Sequence, residues 1–329
     1  MFSLELVPRI VIPDDYPAVM ASSPSYRRFL QQWEVTYHGT LPGSDATLIE
    51  RIRDAGIVIN IRSSSKFNAP ALESCPSLRL LSLWGTGTDN VDLQAAARLG
   101  ITVTNTPAVS AVSIAEHCLA LLLGVARRIA VIDRQTRAGE WPRAQTTQMA
   151  GKTLGVIGLG AIGSRFARLG ESIGMRVLCW TMNPATKQGF ELVDLDGLLK
   201  QSDVVSLHLR LSEATRGFLS RERLGKMKSS AIFINTARGL VVDEEALVEA
   251  LAGGRLAGAG LDVFAVEPLA PGHPLTKLDN VLLSPHSAGV TPEALEAGLS
   301  LALANVESFL AGVPRNVVGA ADAASPARL

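Results

Sequence analysis

The sequence has no surplus of charge. Lys+Arg and Asp+Glu each total 31 in 329 residues, for a formal net charge of zero. Nothing draws such a chain toward nucleic acid or an anionic membrane, so a small molecule is the expected partner. Cysteine is scarce. Cys75, Cys118 and Cys179 are odd in number, far apart, and form no C-x-x-C pair. That spacing argues against a disulfide framework or a zinc site and fits a reducing cytosol; no metal is expected. Long apolar runs are missing too. The strongest, residues 118–126, falls far short of the roughly 20 residues a spanning helix needs. Glu5 and Pro8 break the N-terminal apolar stretch, which makes a poor signal peptide. A soluble, cytoplasmic protein is the expectation, with neither membrane nor nucleic-acid partner. There is no internal repeat, low-complexity tract or long linker.

What is present is core-forming material, 47% hydrophobic against 19% charged. At roughly 150 residues per domain, the length predicts two domains. Short aliphatic runs occur at 57–62, 78–83, 101–104, 153–158, 176–180, 203–209, 231–236, 258–264 and 281–284. Several are apolar throughout, as strands buried on both faces of a parallel sheet are. They alternate with helical patterns, which predicts α/β layers. Ser113-Ile-Ala-Glu116 has capping-box spacing and predicts a helix from Ser113 to about Ile129. That helix is apolar on nearly all sides, so it must be buried all round, deep in a domain or against a second subunit. Thr291-Pro292-Glu293 predicts a second helix start, with a cap, a proline and an acid in the first turn. The Ala-rich stretch 319–329 is expected to fray.

Gly158-Leu-Gly160-Ala-Ile-Gly163 follows the apolar run 153–157 and opens a helical stretch to about Ile173. A bare G-x-G-x-x-G is weak evidence, but strand before and helix after make it a dinucleotide loop. Gly158 permits the turn, Gly160 lets backbone approach a pyrophosphate, and Gly163 lets helix and strand pack. The amides of Ala161 and Ile162 then face phosphate from the positive end of the helix. An acid about 20 residues on usually accepts the ribose hydroxyls. Here Thr181-Met182-Asn183 stands instead. Thr181 would not repel a 2′-phosphate, yet no arginine stands beside it. Thr181 or Asn183 could bond the hydroxyls, and Lys187 could reach a phosphate. NAD(H) is preferred, with NADP(H) left open.

Three later segments carry candidate chemistry, each after a predicted strand, where open α/β sheets bind ligands. They are Asn235-Thr-Ala-Arg238-Gly, Gly260-Leu-Asp262 through Glu267-Pro268, and Leu283-Ser-Pro-His286-Ser-Ala-Gly289. Imidazole is the side chain best suited to give or take a proton near neutral pH. A carboxylate beside it favours the protonated ring and fixes its orientation. Guanidinium offers a planar fork of donors to a carboxylate or a polarised carbonyl. Singly, Glu267 reads as loop chemistry and His286 as a satisfied loop histidine; a lone arginine is more often a surface ion-pairing residue, but the place of Arg238 directly after a buried strand, in a Gly-bearing turn, counts against that. His208, at a strand end, reads as a structural hydrogen-bonding residue, and His38, His117 and His273 as structure or surface.

Together with Trp84-Gly-Thr-Gly-Thr-Asp-Asn90, Asn105-Thr-Pro107, Ala115-Glu-His117 and the glycine loop, these segments make nearly the whole chain resemble the D-isomer-specific 2-hydroxyacid dehydrogenases. The resemblance implies a Rossmann cofactor domain (105–286) inserted into a flavodoxin-like substrate domain (1–104 and 287–329), both doubly wound parallel sheets. It implies Arg238, Glu267 and His286 as the catalytic set and hydride transfer between NAD(P)H and a 2-oxo acid. Thr236, Ala237 and Asp262 are implied in cofactor binding, with Asp262 near the nicotinamide carboxamide. Arg62, Ser63, Gly85 and Arg238 are implied in substrate binding, although a polar turn explains 62–66 equally well. The active site is expected in a cleft whose closure excludes water, and the long apolar helix in a homodimer interface. Arg210 and Trp84 depart from the usual residues and could reshape the substrate pocket. With Glu267 in place of glutamine, formate is disfavoured. The lack of a regulatory domain after the last helix disfavours a long, feedback-controlled phosphoglycerate enzyme. Glyoxylate/hydroxypyruvate reductase, D-lactate dehydrogenase and a short 3-phosphoglycerate dehydrogenase stay open. A dinucleotide-sensing corepressor of the C-terminal-binding-protein kind is the alternative outside enzymes.

Overall fold

The computed structural model describes residues 8–183 and 189–319. Its chain forms two compact units. One holds the described residues up to Ser110 and from Thr291 onward, and the other holds Ala111–Val290.

The first unit is a five-stranded sheet of β1 (Ile10–Ile12), β2 (Val35–Tyr37), β3 (Ile57–Asn60), β4 (Leu80–Leu83) and β5 (Thr102–Thr104). All pairings are parallel, in the order β2-β1-β3-β4-β5, which is the flavodoxin-like order. β1, β3 and β4 are wholly buried, as continuous apolar runs require. Alternate residues feed two cores. Val58 and Leu81 meet Leu48, Ile52 and Leu72 on one face, while Ile57, Ile59 and Leu80 meet Tyr26, Phe29, Leu299 and Val306 on the other. The second face is closed by the helix Pro292–Leu310, capped by Thr291 as its sequence predicts. The Ser82 hydroxyl donates to Ala302 O at 2.9 Å. Gly298 leaves room for Trp84: a Cβ there would sit 2.0 Å from the indole nitrogen.

The second unit contains β6 (Thr153–Ile157), β7 (Arg176–Trp180), β8 (Glu191–Leu192), β9 (Val204–Leu207), β10 (Ile232–Asn235), β11 (Gly258–Leu261) and β12 (Val281–Leu283). These too are all parallel, in the order β12-β11-β10-β9-β6-β7-β8. Counted from β6, that is the Rossmann order with a seventh strand added. Val204, Ile232 and Ile234 face the helices Ala111–Ala126 and Ala161–Ser172. Val205 and Phe233 face Leu198, Leu199, Leu247 and Leu251 on the opposite side.

Several expectations are corrected. The long apolar helix begins at Ala111, so Ser113 lies within it and does not cap it. It stops at Ala126, where Arg128 turns left-handed (φ 53°) and starts a separate helix, Ile129–Arg137. Val112 and Leu123 on the long helix are exposed within this chain, so it does not lie deep in its own domain on every side. β1, β2 and β8 have only two or three residues each and escape a reading based on longer apolar runs.

Candidate active site

The glycine loop is built as the spacing demands. Gly158 has φ 98°, and a Cβ on it would lie 2.6 Å from the carbonyl oxygen of His208. A Cβ on Gly163 would lie 2.0 Å from the carbonyl oxygen of Gly158. Backbone atoms block both positions, so neither tolerates a side chain without moving the loop. Gly160 caps the helix Ala161–Ser172 without a side-chain bond. Ala161 and Ile162 therefore occupy its first turn, where amides lack helical acceptors and attract anions. A cradle of this shape, closed to side chains and lined by amides, fits a dinucleotide pyrophosphate. His208 braces the loop through its backbone N–H to Ile157 O (2.8 Å) and its ring Nε2 to the Ser206 hydroxyl (2.9 Å). Burial pushes its imidazole down to about 3, so it is neutral and structural. At the end of β7 the Thr181 hydroxyl accepts the Asn183 N–H at 3.4 Å. Lys187 lies outside the described residues.

Arg238, Glu267 and His286 all belong to the second unit and follow β10, β11 and β12. His286 Nδ1 and Glu267 Oε2 are 2.7 Å apart. The other Glu267 oxygen accepts the Phe264 N–H at 3.0 Å. Burial pushes the Glu267 carboxyl up, but the His286 bond, the Phe264 N–H and the charges of His286 and Arg238 outweigh it. Glu267 is therefore held below the ordinary carboxylate range. Arg238 is thus near enough to Glu267 for its charge to act. Its turn is fixed by Asn235, which accepts the Ala237 N–H (2.9 Å) and donates to Arg238 O (3.2 Å). Gly239 brings that turn against the acid's loop, since a Cβ there would sit 1.9 Å from the carbonyl carbon of Phe264.

Asp262 does more than the sequence discloses. It is 1% exposed, and its backbone oxygen accepts the His286 N–H at 2.8 Å. Its carboxylate accepts the Ser287 and Ala288 N–H groups at 2.9 and 3.0 Å. Residue 262 thereby holds three consecutive residues at the base of the imidazole, whose backbone is left-handed at φ 54°. Such a conformation persists in a histidine only when its surroundings fix it. His117, which reads in the sequence as structure or surface, has its Nε2 at 3.7 Å from that carboxylate. Thr236 is buried, with its hydroxyl 3.1 Å from Cys118 Sγ. Burial pushes the Cys118 thiol up to about 12, so it is not a nucleophile at neutral pH.

The remaining candidates lie in the first unit. Arg62 donates from its guanidinium to Pro17 O and stands 3.9 Å from the buried Asp15. Ser63 is exposed. Gly85 has φ 132°, and its N–H donates to the Thr106 hydroxyl at 2.7 Å. The sequence gives no hint of Asp14, which is fully buried and takes the Ile61 and Arg62 N–H groups at 3.0 and 3.2 Å. Trp84 packs its ring with the core that includes Leu299 and Val306.

Comparison with known proteins agrees with this geometry. The profile described as D-isomer specific 2-hydroxyacid dehydrogenase, NAD binding domain, matches residues 119–288. A glyoxylate reductase of Korarchaeum cryptofilum is 37% identical over 322 residues, covering 94% of this chain and 96% of that protein. Among solved structures, an acyclic imino acid reductase in complex with NADPH and D-arginine superposes with TM-score 0.87 at 30% identity, covering 94% and 99% of the two chains. D-lactate dehydrogenase from Aquifex aeolicus, complexed with NAD and lactic acid, gives TM-score 0.81 at 30% identity, covering 92% and 95%. The chain belongs to the D-isomer-specific 2-hydroxyacid dehydrogenases, nicotinamide-dependent oxidoreductases of 2-oxo and D-2-hydroxy acids.

Proposed function

We propose that this enzyme reduces a small 2-oxo acid of the glyoxylate or hydroxypyruvate kind, with NAD(H) preferred and NADP(H) tolerated. The observation that carries the reading is the 2.7 Å contact of His286 Nδ1 with Glu267, inside the field of Arg238. The loop Gly158–Gly163, with Thr181, Thr236 and Ala237, would hold the dinucleotide, which would supply the hydride when bound. With Nδ1 engaged by Glu267, the proton for the developing alkoxide leaves from His286 Nε2. Arg238 polarises the carbonyl and binds the acid function. Arg62, Ser63 and Gly85 belong to the same proposal as substrate-binding residues, Arg62 and Ser63 as donors to the substrate carboxylate, with the exposed Ser63 its best support. The assignment of 105–286 to the cofactor and of 1–104 with 287–329 to the substrate is part of it as well. The named relatives are enzymes, which supports turnover over a purely dinucleotide-sensing role. A cytoplasmic homodimer through the helix Ala111–Ala126 is the assembly proposed, supported by exposed Val112, Leu123, Ile129 and Trp141.

The test is a turnover panel of glyoxylate, hydroxypyruvate and pyruvate with NADH and NADPH. His286→Ala lowers kcat by about a hundredfold or more, within the range general acid–base groups contribute, and leaves dinucleotide Kd near wild type. Equal rates in the variant and wild type would remove His286 from proton transfer. Arg238→Ala raises KM for the oxo acid and lowers kcat, and unchanged constants refute its role. Tight NADH binding with no turnover on any oxo acid favours the sensor instead.

A further inference from the structure

The loop that carries Glu267 is exposed along most of its length. Val266, Glu267, Pro268, Ala270 and Pro271 all face solvent. Yet Glu267 must meet His286 within 2.7 Å. Both ends of this segment converge on one carboxylate that no part of the reaction uses. Glu244 is the first residue of the helix Glu244–Ala252, directly after its cap Asp243. Its Oε2 accepts the N–H of Ala265 at 2.8 Å, two residues before the acid. Its Oε1 lies 3.6 Å from Nε2 of His273, at the far end of the same loop. The Leu275 N–H donates to His273 Nδ1 at 3.4 Å, which places the neutral ring's proton on Nε2, facing Glu244. His273 is itself anchored as the cap of the short helix Pro274–Lys277.

We propose that Glu244 is a positioning residue for the Glu267–His286 pair, closing the Ala265–His273 loop by holding its two ends. Tying the ends of a flexible segment removes conformers it would otherwise sample, and small displacements of a catalytic group carry large rate penalties. Glu244 touches none of the reacting groups, so its effect passes through the Ala265 backbone to Glu267. The inference rests on the reading of Glu267 and His286 given under Proposed function.

The experiment compares Glu244→Ala, Glu244→Gln and His286→Ala with the wild type, measuring kcat, KM and NADH Kd. Glu244→Ala should lower kcat about tenfold, the scale of one lost hydrogen bond to a carboxylate. KM and NADH Kd should stay within about twofold. Gln keeps an acceptor for the Ala265 N–H, so Glu244→Gln should recover most of kcat. Wild-type kcat in Glu244→Ala overturns the proposal, as does a Gln variant no better than Ala. If His286→Ala is inactive while Glu244→Ala is normal, only this inference fails. If both are normal, the reading beneath it fails. Should Glu244→Ala not accumulate as folded protein, His273→Ala cuts one end only. About a threefold fall in kcat then supports the closure, and no change overturns it.

Discussion

Glu267 shows how one partly exposed carboxylate is kept ionised. Desolvation works against its charge, and the bonds to Phe264 N–H and His286 with the nearby Arg238 guanidinium prevail. Because its folded value lies below the ordinary range, its stabilising contribution is complete above the unfolded carboxylate value, about 4.3. That contribution disappears only as pH falls through the lower folded value. The difference in stability between the wild type and Glu267→Gln should thus be flat from pH 6 to 8 and shrink in acid. Denaturant titrations at several pH values measure it, and a difference that grows in acid would reverse the assignment. Arg238, Glu267 and His286 were legible at this scale because each sits in a segment whose order in the chain is distinctive. The contacts of Glu244, Asp262 and His273 were not, because their work lies in which backbone N–H or ring they meet. Spacing in sequence does not encode a contact between Glu244 and Ala265, 21 residues apart.

Strands and glycines were more readable than helix ends. Short apolar runs located nine of the twelve strands among the described residues, since parallel sheets bury both faces. The capping-box spacing at Ser113 misled, because a helix start also depends on where the incoming chain turns, and here the helix begins two residues earlier at Ala111. Its end at Ala126 escaped as well, since nothing in Arg127–Arg128 resembles a glycine stop, yet Arg128 adopts φ 53°. Gly239 is the clearest case of an element fixing chemistry. Its missing side chain lets the turn after β10 lie against the backbone of Phe264, next to the loop of Glu267. A Cβ at 1.9 Å meets main chain that cannot rotate away. Gly239→Ala should then cost about 3 kcal/mol or more, beyond the usual overpacking penalty, and should lower kcat more than it weakens NADH binding. Thermal melts and steady-state rates decide it. A variant with wild-type Tm and kcat would show that the two loops can separate harmlessly.

At the scale of the molecule, the proposed catalytic trio and the glycine loop share one unit. The loop Gly158–Gly163 and the residues Arg238, Glu267 and His286 all lie within Ala111–Val290. A ligand that binds only the folded form stabilises the part that holds it by RT ln(1 + [L]/Kd). At a hundred times Kd, NADH should add about 2.7 kcal/mol to this unit. For a unit of this size that raises Tm by roughly 5–11 °C. Hydrogen exchange should slow first in the amides of Ala161 and Ile162, which lack helical acceptors until a phosphate arrives. NADPH should shift the melt less at equal concentration, because no arginine stands beside Thr181 to meet a 2′-phosphate. Gly163→Ala, whose Cβ would lie 2.0 Å from Gly158 O, should abolish most of the shift for both dinucleotides. An equal shift in that variant would show that the dinucleotide binds without the glycine turn, and a larger shift with NADPH would reverse the cofactor preference.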